Sequence, residues 1–461
     1  MSNRFNNSFD LYKRTLRIAI PVMVQNLITN FVALIDNIMV GRVGTEQMSG
    51  VAIVNQILFV FNLAVFGAAS GAGIFCAQFF GKKDYEGVRN TFRFKILTVS
   101  LISVIGILIF FLFGDNLIVK FLHDADKGID LEKTFMYAKD YLLVMLIGLL
   151  PFALEQAYSG TLKEGSVAIL PMIAGICAVA VNTVLNYFLI FGIGPFPKLG
   201  VEGAALATII SRFIQFFIVF FWTHLNSKRL MFVKGLYKTF KIPKDLAKRI
   251  IKKGLIPLVA NECLWGAGVA TLTWCYSMRG IDVVASLNIS NTVVNLFNVM
   301  YIAFGAGVSV VVGQMLGAND IDAAKKGAPK LIGFAGFMCV LIALVMALFS
   351  KAFPAIYNTT DSVRFLATVF IIESAIFMPV HSMLHSTYFI LRSGGKTLIT
   401  FIFDSGFSWV IVVPVAFCLV NFTKLNVVYV YFSCQMAETL KFILGIFLIK
   451  KGVWLSNIVS E

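Results

Sequence analysis

The sequence predicts an all-α integral membrane protein: twelve transmembrane helices in two parallel six-helix repeats around a central cleft. Three observations carry that prediction. The 461 residues are 58% hydrophobic and only 14% charged, against about 45–50% apolar and about 25% charged in soluble domains. The apolar residues are gathered into twelve long runs. Polar residues inside those runs recur at a fixed offset between the two halves of the chain.

A helix that crosses a hydrocarbon core of about 30 Å needs roughly 20 apolar residues. The polar start MSNRFNNSFDLYKRTLR passes into a first run, 16–39, with no Ala-x-Ala-like site, so no cleavable leader is expected. Runs 47–79 and 91–114 follow, then an acidic loop, 115–133, with Asp115, Asp124, Asp126, Asp130 and Glu132. Runs 134–159, 165–192 and 200–224 complete the first lobe, 1–224. A basic linker, 225–250, separates it from the second lobe, 251–461. The linker segment LYKTFKIPKDLAKRIIKKG is expected on the anionic inner leaflet. The second lobe holds runs 251–277, 283–313, 330–350, 362–390, 397–420 and 425–449. The shortest run has 21 residues and the longest 33. Continuous runs of that length exclude a barrel, whose strands are short and alternating. Seven cysteines, among them Cys76, Cys177, Cys263 and Cys275, lie mostly within the runs and form no CxxC pair. They read as small apolar packing residues, not as disulfides or metal ligands.

The net charge of +15 does not point to nucleic acid, because the basic residues sit between the apolar runs. With the N-terminus inside, 27 of the 39 Lys and Arg fall in inner segments and 10 in outer ones, with Arg212 and Lys441 inside runs. That asymmetry predicts cytoplasmic termini and a cytoplasmic linker.

At an offset of 236, Pro21 falls on Pro257, Gln25 on Asn261, Asn55 on Asn291, Asn62 on Asn298, Gln78 on Gln314, Gly81 on Gly317 and Asp84 on Asp320. Later the offset is 229, with Lys163 on Arg392, Gly165 on Gly394 and Arg212 on Lys441. Six runs per half start both halves on the same side, so the repeats are parallel and related by an axis along the membrane normal. Such repeats place a substrate site near the midplane. No selectivity-filter signature marks a pore.

The first run, IPVMVQNLITNFVALIDNIMVGRVG, resembles the opening of the multidrug and toxic compound extrusion (MATE) family: a proline near the inner end, Asp36 near the outer end, then a small-residue turn. GAGIFCAQFFGKKD resembles the family's glycine-rich run closed by Gln-x-x-Gly, and VNTVLNYFLIFG and GVEGAALATIISR are similar to its fifth and sixth spans. The resemblance covers the whole chain. It implies twelve helices in two lobes and cation-coupled export of organic, often cationic, compounds. Related flippases of lipid-linked sugars share the broad fold.

An ionised side chain in mid-membrane costs from a few to more than ten kcal/mol, so each needs a reason. Asp36 is the leading candidate for a Na+ or H+ site; the bland alternative is a hydrated carboxylate at the interface. The resemblance makes Asn182, Asn186 and Thr208 its neighbours. One branch of the family has Asp where Asn186 stands, so this chain offers one carboxylate with amide and hydroxyl oxygens, a set suited to a hard monovalent cation. Glu262 and Asp404 are second-lobe candidates. The family's second-lobe acids on the seventh and tenth spans correspond here to a place near Glu262 and to His381. His381 and His385 share a helix face, and four His with no HExxH argue against zinc. Glu438 and Lys441, three apart, read as an internal ion pair. Asn55, Asn288, Asn291 and Asn295, with Asn62 and Asn298, read as cleft lining or as interhelical hydrogen bonding.

The expected function is a secondary antiporter, coupled to Na+ or H+, that exports amphipathic organic compounds from a monomer in the plasma membrane. It would use no cofactor and no metal beyond a possible Na+ at Asp36. The alternative is a flippase of a lipid-linked precursor, which would want basic residues such as Arg212 and Lys441 for a diphosphate. An intramembrane enzyme is a remote third reading, since no nucleophile–base motif appears. No GxxxxGK[ST] supports ATP-driven pumping.

Overall fold

The structure, a computed structural model, describes residues 8–122 and 130–460, without the side chains of residues 33, 34, 37 and 38. Asp124 and Asp126 of the acidic loop lie outside the described residues. Helix is the only regular structure among the described residues, and twelve helices are long and apolar enough to cross a membrane. In the first half these are α1 (Ser8–Gly41), α2 (Thr45–Lys82), α3 (Tyr85–Val119), α4 (Leu131–Glu164), α5 (Ile169–Phe191) and α6 (Gly200–Leu225). In the second they are α7 (Lys244–Ser277), α8 (Ile281–Gly317), α9 (Ile321–Leu348), α10 (Asp361–Ser393), α11 (Thr397–Phe422) and α12 (Val427–Lys451).

Several starts are capped as their sequences dictate. Asp130, Asp320, Thr360 and Asn426 each accept a backbone N–H from the first turn of α4, α9, α10 and α12. Several helices begin earlier than the sequence reading places them, among them α3 at Tyr85 and α9 at Ile321. α1 begins at Ser8, well before the apolar run. α7 begins at Lys244, so the expected division at 250/251 falls inside a continuous helix. The 244–250 extension, KDLAKRI, is rich in Lys, Arg, Leu and Ala, which favour helix whether or not they are buried.

The basic linker is tied down rather than free. Phe232, Val233 and Leu236 are buried. Arg93 of α3 donates to the carbonyls of Leu236 (2.8 Å) and Gly235 (2.6 Å), and Arg89 to those of Phe232 (3.2 Å) and Met231 (3.3 Å).

The chain forms two compact units: one from Val24–Gly73 and Tyr85–Lys248, the other from Met1–Met23, Ile74–Asp84 and Arg249–Glu461. In the first, α5 packs on α6, α6 on α4 and α4 on α3. Leu101, Ile105, Leu108 and Leu112 make an exposed apolar stripe along α3, as a lipid-facing surface requires. Lys95, counted among the inner basic residues, is fully buried and donates to Glu164 Oε2 at 2.5 Å.

In the second unit, α10 is central and packs on α8, α9 and α12. Cys275 and Cys434 are buried in one apolar cluster and Cys339 in another, as small packing residues. The C-terminal turn of α2 meets α8 through residues that the 236 offset aligns. A Cβ on Gly81 would lie 2.0 Å from the carbonyl oxygen of Gln314, and a Cβ on Gly317 1.9 Å from that of Gln78. No other residue fits either place, and small residues at such crossings are what close helix packing in a membrane demands.

Proline shapes α7. Pro257 has no N–H for the carbonyl of Lys253, and a π-helical turn, Ile251–Leu255, leads into it. The Thr397 hydroxyl donates to that carbonyl at 2.6 Å and so ties the start of α11 to α7.

Candidate functional site

Each unit gathers candidate site residues into a polar cluster within its membrane-spanning helices. In the first unit, α1 brings Asp36, α5 brings Asn182 and Asn186, and α6 brings Thr208. The two asparagines are one turn apart, share a face and are buried. Asn186 Nδ2 donates to Asp36 Oδ1 at 2.7 Å. The amide of Asn182 lies 2.9 Å from Asp36 Oδ2. With its nitrogen turned to Asp36 it donates to the carboxylate, as an ionised Asp36 requires, and its oxygen faces the Thr208 hydroxyl at 3.3 Å. With the amide reversed, Asn182 Nδ2 donates to Thr208 Oγ1 at 3.3 Å and Asn186 Nδ2 to Asn182 Oδ1 at 3.2 Å. That orientation suits a protonated Asp36, whose O–H has an acceptor there. Asn186 Oδ1 is buried without a hydrogen-bond partner.

The three residues expected around Asp36 are therefore together with it. Asp36, Asn186 and Thr208 border a cavity of about 330 Å³ whose lining also includes Asn55, Asn62, Tyr141 and Arg212, with the rings of Phe59 and Phe152. Asn55 and Asn62 thus belong to the same cavity as Asp36. Asn288, Asn291 and Asn295 lie in the second unit as an exposed stripe on α8.

The second unit holds a linked ionic network. Lys441 of α12 donates to Asp404 Oδ1 at 2.6 Å and lies 3.3 Å from Glu438 Oε2. The Glu438–Lys441 pair is present, but Asp404 is the closer partner. Asn261 donates to Asp404 Oδ2 (3.1 Å) and to the Tyr388 hydroxyl (3.2 Å), and its own oxygen accepts from Ser405 (2.8 Å). Tyr388 reaches Glu262 Oε1 at 3.4 Å, and Arg392, 3% exposed, lies 3.8 Å from the same oxygen. Glu262 and Asp404 are thus joined through Asn261 and Tyr388, and each already faces a cation of the protein. Asp404 occupies one of two π-helical turns that precede Pro414 in α11. His381 stands outside the hydrogen-bonded network, its Nε2 buried and unpartnered, and His385 packs edge-on against Tyr301 at 4.8 Å.

The sequence reading missed Asn261 as a hub and Arg392 as a buried partner. The signal for Asn261 was its register with Gln25. For Arg392 there was only its place one turn after Tyr388, which does not separate a buried guanidinium from a loop charge.

Charged and amide groups held inside membrane spans, one set opening on a cavity, define a multi-pass membrane transporter. The MatE family model matches residues 21–188 and 257–418, and the two matched segments begin 236 residues apart, the offset read within the chain. The chain belongs to the MatE family, whose members are transporters rather than enzymes. It is 24% identical to the probable multidrug resistance protein YoeA of Bacillus subtilis, over 92% of this chain and 91% of the relative. It is 24% identical to the probable multidrug resistance protein NorM of Thermotoga maritima, over 90% and 87%. Its fold is similar to the crystal structure of a variant of the Vibrio cholerae MATE transporter VcmN, with a TM-score of 0.87, 16% identity and coverage of 98% and 99%.

Proposed function

We propose that the chain is a secondary antiporter that exports amphipathic organic compounds by alternating access, driven by Na+ or H+ entering at Asp36. The observation that supports this reading most is the convergence of Asp36, Asn186 and Thr208, from three helices, on one cavity, with Asn182 packed against Asp36 and Thr208. A coupling site must carry charge to offset the dehydration of a cation, and Asp36 supplies it. The buried, unpartnered Asn186 oxygen supplies a neutral acceptor beside it. The names of the relatives, multidrug resistance proteins, agree with this substrate range. Na+ or H+ is cargo here; the reading needs no resident metal or cofactor.

The second unit fits this role less well. Its two candidate carboxylates face Lys441 and Arg392, so a coupling ion would have to displace a tethered cation. A diphosphate-lipid flippase would call on the mid-span cations, and Lys441 is already paired with two carboxylates.

One monovalent cation entering down about 100 mV yields about 2.3 kcal/mol, and a tenfold concentration gradient adds about 1.4 kcal/mol. Together these sustain roughly a 500-fold gradient of a passenger with no net charge. A singly cationic passenger exchanged one for one cancels the voltage contribution and leaves about tenfold.

The reading also includes a monomer in the plasma membrane with both termini and residues 225–250 cytoplasmic. Efflux from proteoliposomes, with sodium and proton gradients imposed separately and no ATP, tests the mechanism. One of the two gradients should drive efflux; efflux that needs ATP and ignores both would overturn it.

A further inference from the structure

Arg212 differs from four other buried or part-buried cations of the helical region. Lys95 is bonded to Glu164, Lys441 to Asp404 with Glu438 beside it, Arg392 faces Glu262, and Arg279 donates to the carbonyls of Leu419 and Thr423. Arg212 lies with its guanidinium 4.8 Å over the ring of Phe152. Among the described residues no oxygen accepts a hydrogen bond from it and no carboxylate lies within ion-pair distance. Glu155, the principal opposing charge nearby, spends its oxygens on the Ser159 hydroxyl and the Gln156 amide. Arg212 also borders the cavity that holds Asp36.

A guanidinium presents five N–H donors in a rigid fork that matches a carboxylate bidentately, and stacking on a ring leaves the edge of that fork free. Donors left without acceptors inside a membrane span are costly, and a cavity of about 330 Å³ is within the range that takes small organic ligands. With Asp36 ionised the cavity carries one charge of each sign. A purely cationic compound leaves Arg212 facing a like charge and without an acceptor. A compound with both an amine and a carboxylate satisfies both.

We propose that Arg212 anchors an acidic group, a carboxylate, of the transported compound, so that this cavity selects zwitterionic amphiphiles over their cationic counterparts. The proposal rests on the transport reading of the same cavity and specifies its substrate class. Asp36 then holds either the coupling cation or the ammonium of the passenger, while Arg212 holds the carboxylate throughout.

The test is equilibrium binding to the purified full chain of Nε-dansyl-lysine and its methyl ester, which differ only in whether the carboxylate is free. Binding is read from dansyl fluorescence with no ion gradient present. The wild type should bind the free acid about tenfold to a hundredfold more tightly than the ester, as a charged hydrogen bond implies. Arg212→Gln should bring the acid to the level of the ester and leave ester affinity within about twofold. Arg212→Lys should keep part of the preference. Equal affinity of the wild type for the two dyes, or binding of neither, overturns the proposal, as does an equal loss for both in Arg212→Gln. Should Arg212→Gln not elute like the wild type, the wild-type preference and the Lys variant decide. Because no gradient is involved, loss of the acid preference would leave ion-coupled transport standing, and loss of coupling would leave the acid preference standing.

Discussion

Lys441→Met removes one ammonium from between two carboxylates. The change keeps most of the aliphatic stem, which is buried, so its main effect is electrostatic. Asp404 loses a partner at 2.6 Å and Glu438 one at 3.3 Å. Breaking a buried ion pair from one side costs about 3–5 kcal/mol, because the remaining charge stays buried and uncompensated. For a unit of this size about 1 kcal/mol corresponds to roughly 2–4 °C, so the apparent melting temperature should fall by about 10 °C. Asp404→Asn should restore much of this loss when added to Lys441→Met, since Asn keeps the hydrogen bonding with Asn261 and removes the stranded charge. The double-mutant cycle on detergent-purified protein is the assay, and a coupling of about 2 kcal/mol or more is expected. A Lys441→Met protein that melts with the wild type, or a double variant whose loss equals the sum of the singles, refutes the network as described.

Gly317→Ala should lower stability by about 1–3 kcal/mol or prevent assembly, because its Cβ would lie 1.9 Å from the Gln78 carbonyl oxygen; melting temperature and yield report it. Thr397→Val removes the hydroxyl that bonds the Lys253 carbonyl and should cost about 0.5–1.5 kcal/mol in the same melting assay. Asn182→Leu and Asn186→Leu should each reduce gradient-driven efflux in part, Asn186 more strongly because it alone bonds Asp36 in either orientation of the Asn182 amide. A single cysteine at Lys238, an exposed linker position, should resist an impermeant maleimide added to intact cells on a cysteine-free background. Labelling there would reverse the proposed topology.

Helix positions were legible because lipid leaves one signature, a long apolar run, and all twelve helices carry it. Their ends were less so: residues 8–15, 244–250 and 321–329 mix charged with apolar residues, so hydropathy alone does not mark them as helix. The α2–α8 crossing was legible as register, since Gln78, Gly81, Gln314 and Gly317 recur at one offset, although recurrence alone does not say that each glycine rests on the other helix's glutamine carbonyl. The first-unit site was legible because Asp36 has few polar neighbours in span and the resemblance named them. In the second unit, Asp404 and Lys441 are 37 residues apart on different helices, and Lys95 and Glu164 are 69 apart. No local pattern joins such partners; only tertiary packing does. For the same reason Arg392 read as a loop charge and is a buried one.

The central claim is that Asp36 couples ion entry to export. Asp36→Asn is nearly isosteric, and the uncharged amide can still meet Asn182 and Asn186, so packing should survive and removal of an intramembrane charge should not lower stability. The decisive measurement is substrate efflux by the Asp36→Asn protein in proteoliposomes under an imposed sodium or proton gradient, with elution profile and melting temperature as folding controls. The account predicts a folded protein whose gradient-driven efflux falls to the level of protein-free liposomes. Efflux by the variant at close to the wild-type rate would contradict it and move the coupling site away from Asp36.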